Sequence, residues 1–312
     1  MTPPPLRCLF ALALLASLAP AQREKPKLDF QGREAVLEYG PVRLGKHSLD
    51  ELKPGNSWRL GRNTASTFSA TCPVFGGADD VVAPGSYRVS LVRDGEKKFS
   101  LHMDGSGDAV LSRGAAVAFP GDLTAGQKPA EQLEIDWVPD GQKKDEAAKA
   151  AKLRIRFGEW HVLVPMWIPG TKPMKAPGWN VDAFLIPEAT LEARYSRGRA
   201  TPVLTFRKPG KPKGDDPAGW NLLVSKTEAR FVPWMEAPTD SFGFGAVQPP
   251  PEAKMRKGSV VWQDASEKKA HLEVSKLERV KEGDFQITLA FGAHVGTVRV
   301  PDPLAPAPTN RQ

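Results

Sequence analysis

Tyr87-Arg-Val-Ser-Leu-Val-Arg-Asp-Gly-Glu-Lys-Lys-Phe-Ser-Leu-His-Met103 is the stretch that decides the fold. Tyr87, Val89 and Leu91 alternate with Arg88 and Ser90, and Phe99, Leu101 and Met103 alternate with Ser100 and His102. Side chains of a strand point to opposite faces in turn, so this period of two gives each strand one apolar face. Asp94-Gly95 between them is a turn signal, and the whole reads as a β-hairpin with one face buried. The same alternation recurs at Leu133, Ile135 and Trp137, at Leu153, Ile155 and Phe157, and at Trp160, Val162 and Val164. Later runs at 182–186, 202–206, 220–225, 228–232, 259–262, 271–277, 285–291 and 296–300 also read as strands. The 312 residues include 30 prolines and 28 glycines, too many and too scattered for long helices. The sequence predicts an all-β protein of short antiparallel strands. Its helix-like piece is Asp145-Glu-Ala-Ala-Lys-Ala-Ala-Lys152, rich in helix formers without an apolar face, expected as a solvated helical insertion at a hairpin tip.

Two stretches echo each other. Gln132-Leu-Glu-Ile-Asp136 matches His271-Leu-Glu-Val-Ser275. Each leads to a strand ending in Phe-Gly (Phe157-Gly158, Phe291-Gly292) and then to a Val-Pro exit (Val164-Pro165, Val300-Pro301). Such self-similarity predicts two tandem sandwich-like units. The expected organisation is a signal peptide at 1–21, a flexible lead-in at 22–34 and a first β domain at 35–168. A proline/glycine linker follows at 169–180, then a second β domain at 181–300 and a disordered tail at 301–312.

Arg7, the apolar run Cys8–Leu18 and Ala19-Pro20-Ala21 have the form of a secretory signal cleaved near Ala21. The mature chain is then expected to be exported, periplasmic or extracellular, with no transmembrane segment. It retains Cys72 alone, which excludes an internal disulfide and is expected as a buried thiol. The formal charge of +7 is modest and mixed. The basic cluster Arg207–Lys213 is offset at once by Asp215-Asp216 and reads as a solvated loop, and no nucleic-acid motif accompanies it.

The densest polar stretch is Pro54-Gly-Asn-Ser-Trp-Arg-Leu-Gly-Arg-Asn63. A guanidinium beside an indole suits stacking or a bidentate grip on a carboxylate, and Asn63 suits a turn. Trp58, Arg59 and Asn63, with Tyr39 near them, are the candidate ligand-binding residues, lining a polar pocket for an anionic or hydroxyl-rich molecule. In the competing reading, Arg59 pins the loop through Glu38 or Asp80.

With these residues in view, the first unit resembles a bacterial family, the domain of unknown function 2911 family (DUF2911). The resemblance is carried by Tyr39-Gly40-Pro41, Pro54–Asn63 with its Trp-Arg-x-Gly-x-Asn core, Thr67-Phe68, Ala83-Pro84-Gly85-Ser86-Tyr87 and Val164-Pro165. It covers about residues 35–168. The chain departs from the family at Gly61-Arg62-Asn63, where Gly-Ala-Asn is usual, and at Gly40-Pro41-Val42, where the family opens with Gly-Arg-Pro. The resemblance implies an exported β-rich domain and brings no reaction, cofactor or catalytic residue.

Other chemistry is thinly marked. His47, His102, His161, His271 and His294 stand singly, without metal-ligand spacing. Asp104–Asp108 starts like a calcium loop, but Ala115 stands where its twelfth ligand belongs, so it reads as a turn. Ser106 lacks a nucleophile elbow, and phosphate-binding glycine loops are absent, so no catalytic residue, metal or cofactor is assigned. Trp167, Trp179 and Trp234 lie near loops where they could stack on sugars, while Trp137 and Trp160 sit at strand positions. The expectation is a non-catalytic ligand-binding or structural module of the periplasm or cell envelope. Its partner would be a small molecule, a glycan or an envelope protein. The alternative is a hydrolase-like enzyme with a site assembled from distant loops, with His161 and Asp80 as acid–base candidates.

Overall fold

The computed structural model describes residues 23–43, 48–61, 66–76, 80–104, 117–140, 147–210, 217–234, 255–280 and 283–304. The strands are β1 (Lys27–Phe30), β2 (Arg33–Glu38), β3 (Ser57–Trp58), β4 (Ser66–Ala70), β5 (Val74–Gly76), β6 (Asp80–Val82), β7 (Gly85–Arg93) and β8 (Lys98–Asp104). They continue with β9 (Val117–Pro139), β10 (Ala148–Ala176), β11 (Trp179–Leu185), β12 (Thr201–Arg207), β13 (Gly219–Val224), β14 (Glu228–Trp234), β15 (Arg256–Arg279) and β16 (Asp284–Pro301). A 3-10 turn covers Leu49–Glu51, and helix α1 covers Glu188–Ser196. The all-β class holds. The main path runs β1-β2-β4-β7-β8-β9-β10-β11-β12-β13-β14-β15-β16, every step antiparallel. Among the described residues, no helix is long and apolar enough to cross a membrane.

The hairpin of β7 and β8 pairs Val89 with Met103 and Leu91 with Leu101, all four buried. The two-residue period therefore does what the alternation predicts. β9 and β10 are longer than the sequence suggests. They run through glycines and prolines by bending at register shifts beside Gly158, whose φ is +64°. A glycine in this left-handed region is the usual residue at such a bulge.

The sequence echo extends to strand register. In β9–β10, Glu134 faces Arg156, Ile135 faces Ile155, and Ala130 faces Gly158. In β15–β16, Glu273 faces Ala290, Val274 faces Leu289, and Lys269 faces Gly292, whose φ is +53°. The match continues backwards along the chain. Leu37–Phe68–Tyr87 across β2, β4 and β7 becomes Val181–Phe206–Trp220 across β11, β12 and β13. Val89–Met103 becomes Leu222–Phe231, and Leu101–Phe119 becomes Ala229–Gly258. Each six-stranded meander also curls onto itself at the same point. Leu133 N donates to Val42 O at 2.7 Å in the first, and Leu272 N donates to Ile186 O at 2.7 Å in the second. The Val-Pro exits do not share this register. Leu163 faces Asp122 as Thr297 faces Val261, which aligns Val164 with Val298 and leaves Val300-Pro301 further along β16.

Four local expectations are corrected. Ala148–Lys152 is the start of β10, with Ala151 opposite Pro139 and Lys152 opposite Val138, not a helix. Helix preference is worth tenths of a kcal/mol per residue, and so short a run cannot nucleate against a waiting strand. Asp145 and Glu146 lie outside the described residues. Among the described residues the α-helix is instead α1, where Leu191, Arg194 and Tyr195 are buried at helical spacing.

Residues 169–176, expected within a linker, are the far end of β10. Met174 faces Val181 and Ala176 faces Trp179 across a tight turn at Gly178. β9 has already left β10 here, and a strand paired on one side tolerates proline. Within the expected lead-in, β1 and the start of β2 are strand. Leu28 is buried between outward charges, which is how an edge strand looks in sequence. Of the expected tail, Asp302 is buried and pairs with Arg279 at 2.8 Å. Residues 1–22 and 305–312 lie outside the described residues.

The two meanders share one hydrophobic core. Polar groups also cross between them. Asn221 donates to Pro84 O and accepts from Thr205 Oγ1, both at 2.8 Å, and buried Asp182 lies between Arg33 and Arg207. A carboxylate so placed is tolerated because both its oxygens meet a cation.

Candidate functional site

Each meander has a connection between its first two principal strands that lies over the phenylalanine preceding the bulge glycine. In the first, its described part is residues 48–61. Its 3-10 turn carries buried Leu49, and β3 pairs with β7, Ser57 opposite Val92 and Trp58 opposite Leu91. Arg93 fastens this cover. Its guanidinium donates to Asp50 O, to Leu52 O at 2.7 Å, to Gly95 O at 2.8 Å and to Glu96 O at 2.7 Å. One cation thus ties two carbonyls of the cover to two of the β7–β8 turn, in segments that offer no ladder of their own. Gly61, at φ +111°, then brings the backbone close to Gly40, where a Cβ would lie 3.1 Å from Gly40 O.

Beneath this cover is a cavity of about 410 Å³. Val42, Leu49, Leu52, Trp58 and Phe157 form its apolar wall, and the Trp58 and Phe157 ring centroids are 5.2 Å apart, tilted by 42°. Arg43, Ser48, Glu51 and Ser57 supply the polar lining, and of these Arg43, Glu51 and Ser57 are exposed. The lining is chiefly apolar, where the sequence suggested a polar pocket.

Of the residues singled out in sequence, Trp58 lines the cavity. Arg59 is exposed and lies beside it without forming part of the wall. Tyr39 turns into the core rather than toward a pocket: its hydroxyl accepts from Ile135 N at 3.0 Å, and burial pushes its pKa up. Asn63 lies outside the described residues. The acids expected opposite Arg59 have other cations near them. Glu38 meets Arg23 at 2.9 Å and Lys25 at 3.0 Å, and Asp80 lies 3.9 Å from Arg199. Leu49, Leu52, Val42 and Phe157 carried no signal as pocket residues, since each reads as an ordinary core position.

In the second meander the corresponding connection is α1, and its cup is full. Tyr195 meets Phe291 edge-on at 5.5 Å and Trp262 at 6.0 Å. Glu188 covers Gly292, where a Cβ would fall 2.4 Å from its Oε1. Buried Arg194 donates to Thr201 Oγ1 at 2.8 Å and to Ala200 O at 2.6 Å, and burial lowers its pKa to about 10.

The remaining chemistry is dispersed. Asp80 is raised by burial and faces Arg199 and Arg194. His161 is lowered by burial, then by Arg154 and Arg156. Burial pushes the Cys72 thiol up to about 12, as suits a buried, inert cysteine. Trp179 is buried against Phe206, and Trp167 stacks on Phe75 at 4.1 Å, so neither presents an open platform. Trp234 is half-buried beside Gly85. Among the described residues, no three His, Cys, Asp or Glu side chains are grouped as metal ligands. Comparison with models of known protein families, with curated proteins and with solved structures finds no match.

Proposed function

We propose that this is an exported, non-catalytic binding protein that holds a small amphipathic molecule in the cavity beneath Trp58. The observation that carries the reading is the difference between two matched cups. One is filled by its own helix, and the other keeps about 410 Å³ of space behind a cover fastened by Arg93. That volume falls within the range of roughly 300–1,000 Å³ common to small-molecule sites, and an apolar wall with a few polar groups is their usual lining. Export rests on the signal-like residues 1–21, and the resemblance of residues 35–168 to the DUF2911 family agrees with it. The same reading takes the two meanders as tandem sandwich-like units, and it leaves glycans and envelope proteins as larger partners presenting such a group.

The test is a thermal-shift screen of residues 22–312 with sugars, peptidoglycan fragments, organic acids, fatty acids and aromatic compounds. Trp58→Ala and Arg59→Ala are run alongside. At least one compound is expected to raise the wild-type Tm and to lose most of that effect in Trp58→Ala while acting on Arg59→Ala. A screen without any shift, or a shift that Trp58→Ala leaves intact, overturns the proposal.

A further inference from the structure

Resting on that reading, we infer that the molecule bound in the first cup is a one-ring aromatic compound with a single polar end, of the size of a phenol. The protein contains its own version of the complex. Phe157 and Phe291 hold matching positions before the bulge glycines of β10 and β16, and the same backbone bridge closes both cups. Over Phe291 the occupant is a phenol ring, that of Tyr195, held edge-on and flanked by Trp262. Over Phe157 stands Trp58, so one wall of the open cup presents two tilted rings in mutual contact, against whose open side a further ring can pack. Leu49, Leu52 and Val42 provide the aliphatic remainder of the wall.

The hydroxyl separates the two cups. In the second, Tyr195 Oη is buried and has no hydrogen-bond partner among the described residues. In the first, a hydroxyl or carboxylate on the ring would point to the side where Ser57 and Arg43 are exposed and Ser48 is half-buried. An aromatic molecule packed against the Trp58–Phe157 pair makes ring contacts of the kind Tyr195 makes and gains a polar partner, which Tyr195 lacks among the described residues. An acyl chain would meet the same aliphatic residues but would not use the Trp58–Phe157 pair edge-on.

The experiment uses the chain lacking residues 1–21, with p-cresol and decanoate as probes, read by saturation-transfer NMR and by melting. Leu52→Trp fills the cup from a half-buried wall position, and Ser57→Trp does so from an exposed one should the first variant fold poorly. Tyr195→Ala opens the second cup. p-Cresol is expected to bind the wild type, to bind the filled variant at least tenfold more weakly, and to raise the Tm of Tyr195→Ala more than that of the wild type. Binding of decanoate but not p-cresol, abolished by the filling variant, overturns the aromatic assignment and leaves the cavity as a site. Binding of p-cresol that neither filling variant weakens places it elsewhere and overturns the inference. Binding of neither probe removes the inference together with the site it rests on.

Discussion

The two meanders differ least where strands pair and most where the chain leaves the sheet. Their registers agree from Leu37 and Val181 to Val164 and Val298, yet the core residues at matched positions are often different. Tyr87 is matched by Trp220, Met103 by Phe231 and Phe119 by Gly258. The backbone frame survives such exchange because a ladder needs alternation and volume rather than particular side chains. The covers obey no such rule. The described part of the first cover, residues 48–61, is a 3-10 turn and the two-residue β3 tied down by Arg93 from outside, whereas the second is the short helix Glu188–Ser196 tied down by its own Arg194. The frame sets where a cup lies, and the cover sets whether it is full.

This contrast can be broken most directly by removing the two cover aromatics. Tyr195→Ala should cost about 3–5 kcal/mol in urea unfolding, because a fully buried ring leaves a cavity against Phe291 and Trp262. Trp58→Ala should cost only about 1–2 kcal/mol, since its ring is half-buried and already borders empty space. Equal losses would mean that the first cup is packed as tightly as the second. Tyr195→Phe sharpens the point: removing a buried hydroxyl without a partner should leave stability unchanged or raise it.

The bulge glycines offer a smaller test. Gly158→Ala and Gly292→Ala each force an alanine into the left-handed region, at about 1–2 kcal/mol. Gly292→Ala should be the worse of the two, because its Cβ meets the Glu188 carboxylate and pushes on α1. Matching Tm losses would show that the helix yields without resistance. The smallest effect is in pH. Burial holds His102 below its ordinary value of 6.5, opposed by Asp94, so the unfolded chain takes up the proton first. The contribution of His102 to stability is present above pH 6.5 and lost as pH falls below it toward the folded value. The matched position in the second meander holds Arg230 in place of an imidazole. His102→Gln should therefore flatten the Tm profile on the acid side of 6.5, and a profile left unchanged would place the acid sensitivity in other groups.

Much of the frame was legible because alternation is a local signal. Tyr87–Met103 reads as a hairpin from its own residues, and the Leu-Glu-Ile and Leu-Glu-Val echo marks β9 and β15 as relatives. The long strands were harder. Pro120 and Gly121 look like punctuation, yet β9 passes through them because β8 supplies partners from Lys98 to Met103. Helix α1 was hidden for a different reason. Its apolar stripe consists of Leu191 and Tyr195 with an arginine between, and no composition rule announces that Arg194 will be buried. At the candidate site, Trp58 stood out by type, but the cavity depends on Val42 and Phe157, which are distant in sequence and meet only once the meander curls. Tyr39, expected near Arg59 and Asn63 at a polar pocket, was not legible as a core residue, because its hydroxyl accepts from a backbone N–H far away in sequence.

β10, the last strand of the first meander, also joins it to the second, pairing with β9 up to Leu163 and with β11 from Gly170. A protein dissected at the Gly178 turn would leave each fragment with a bare strand edge where its neighbour had been, and such edges recruit other chains. Proteolysis at that hairpin would thus yield sticky halves rather than two free modules. Loss of order in one meander should propagate through the shared strand, so that the chain melts in one transition.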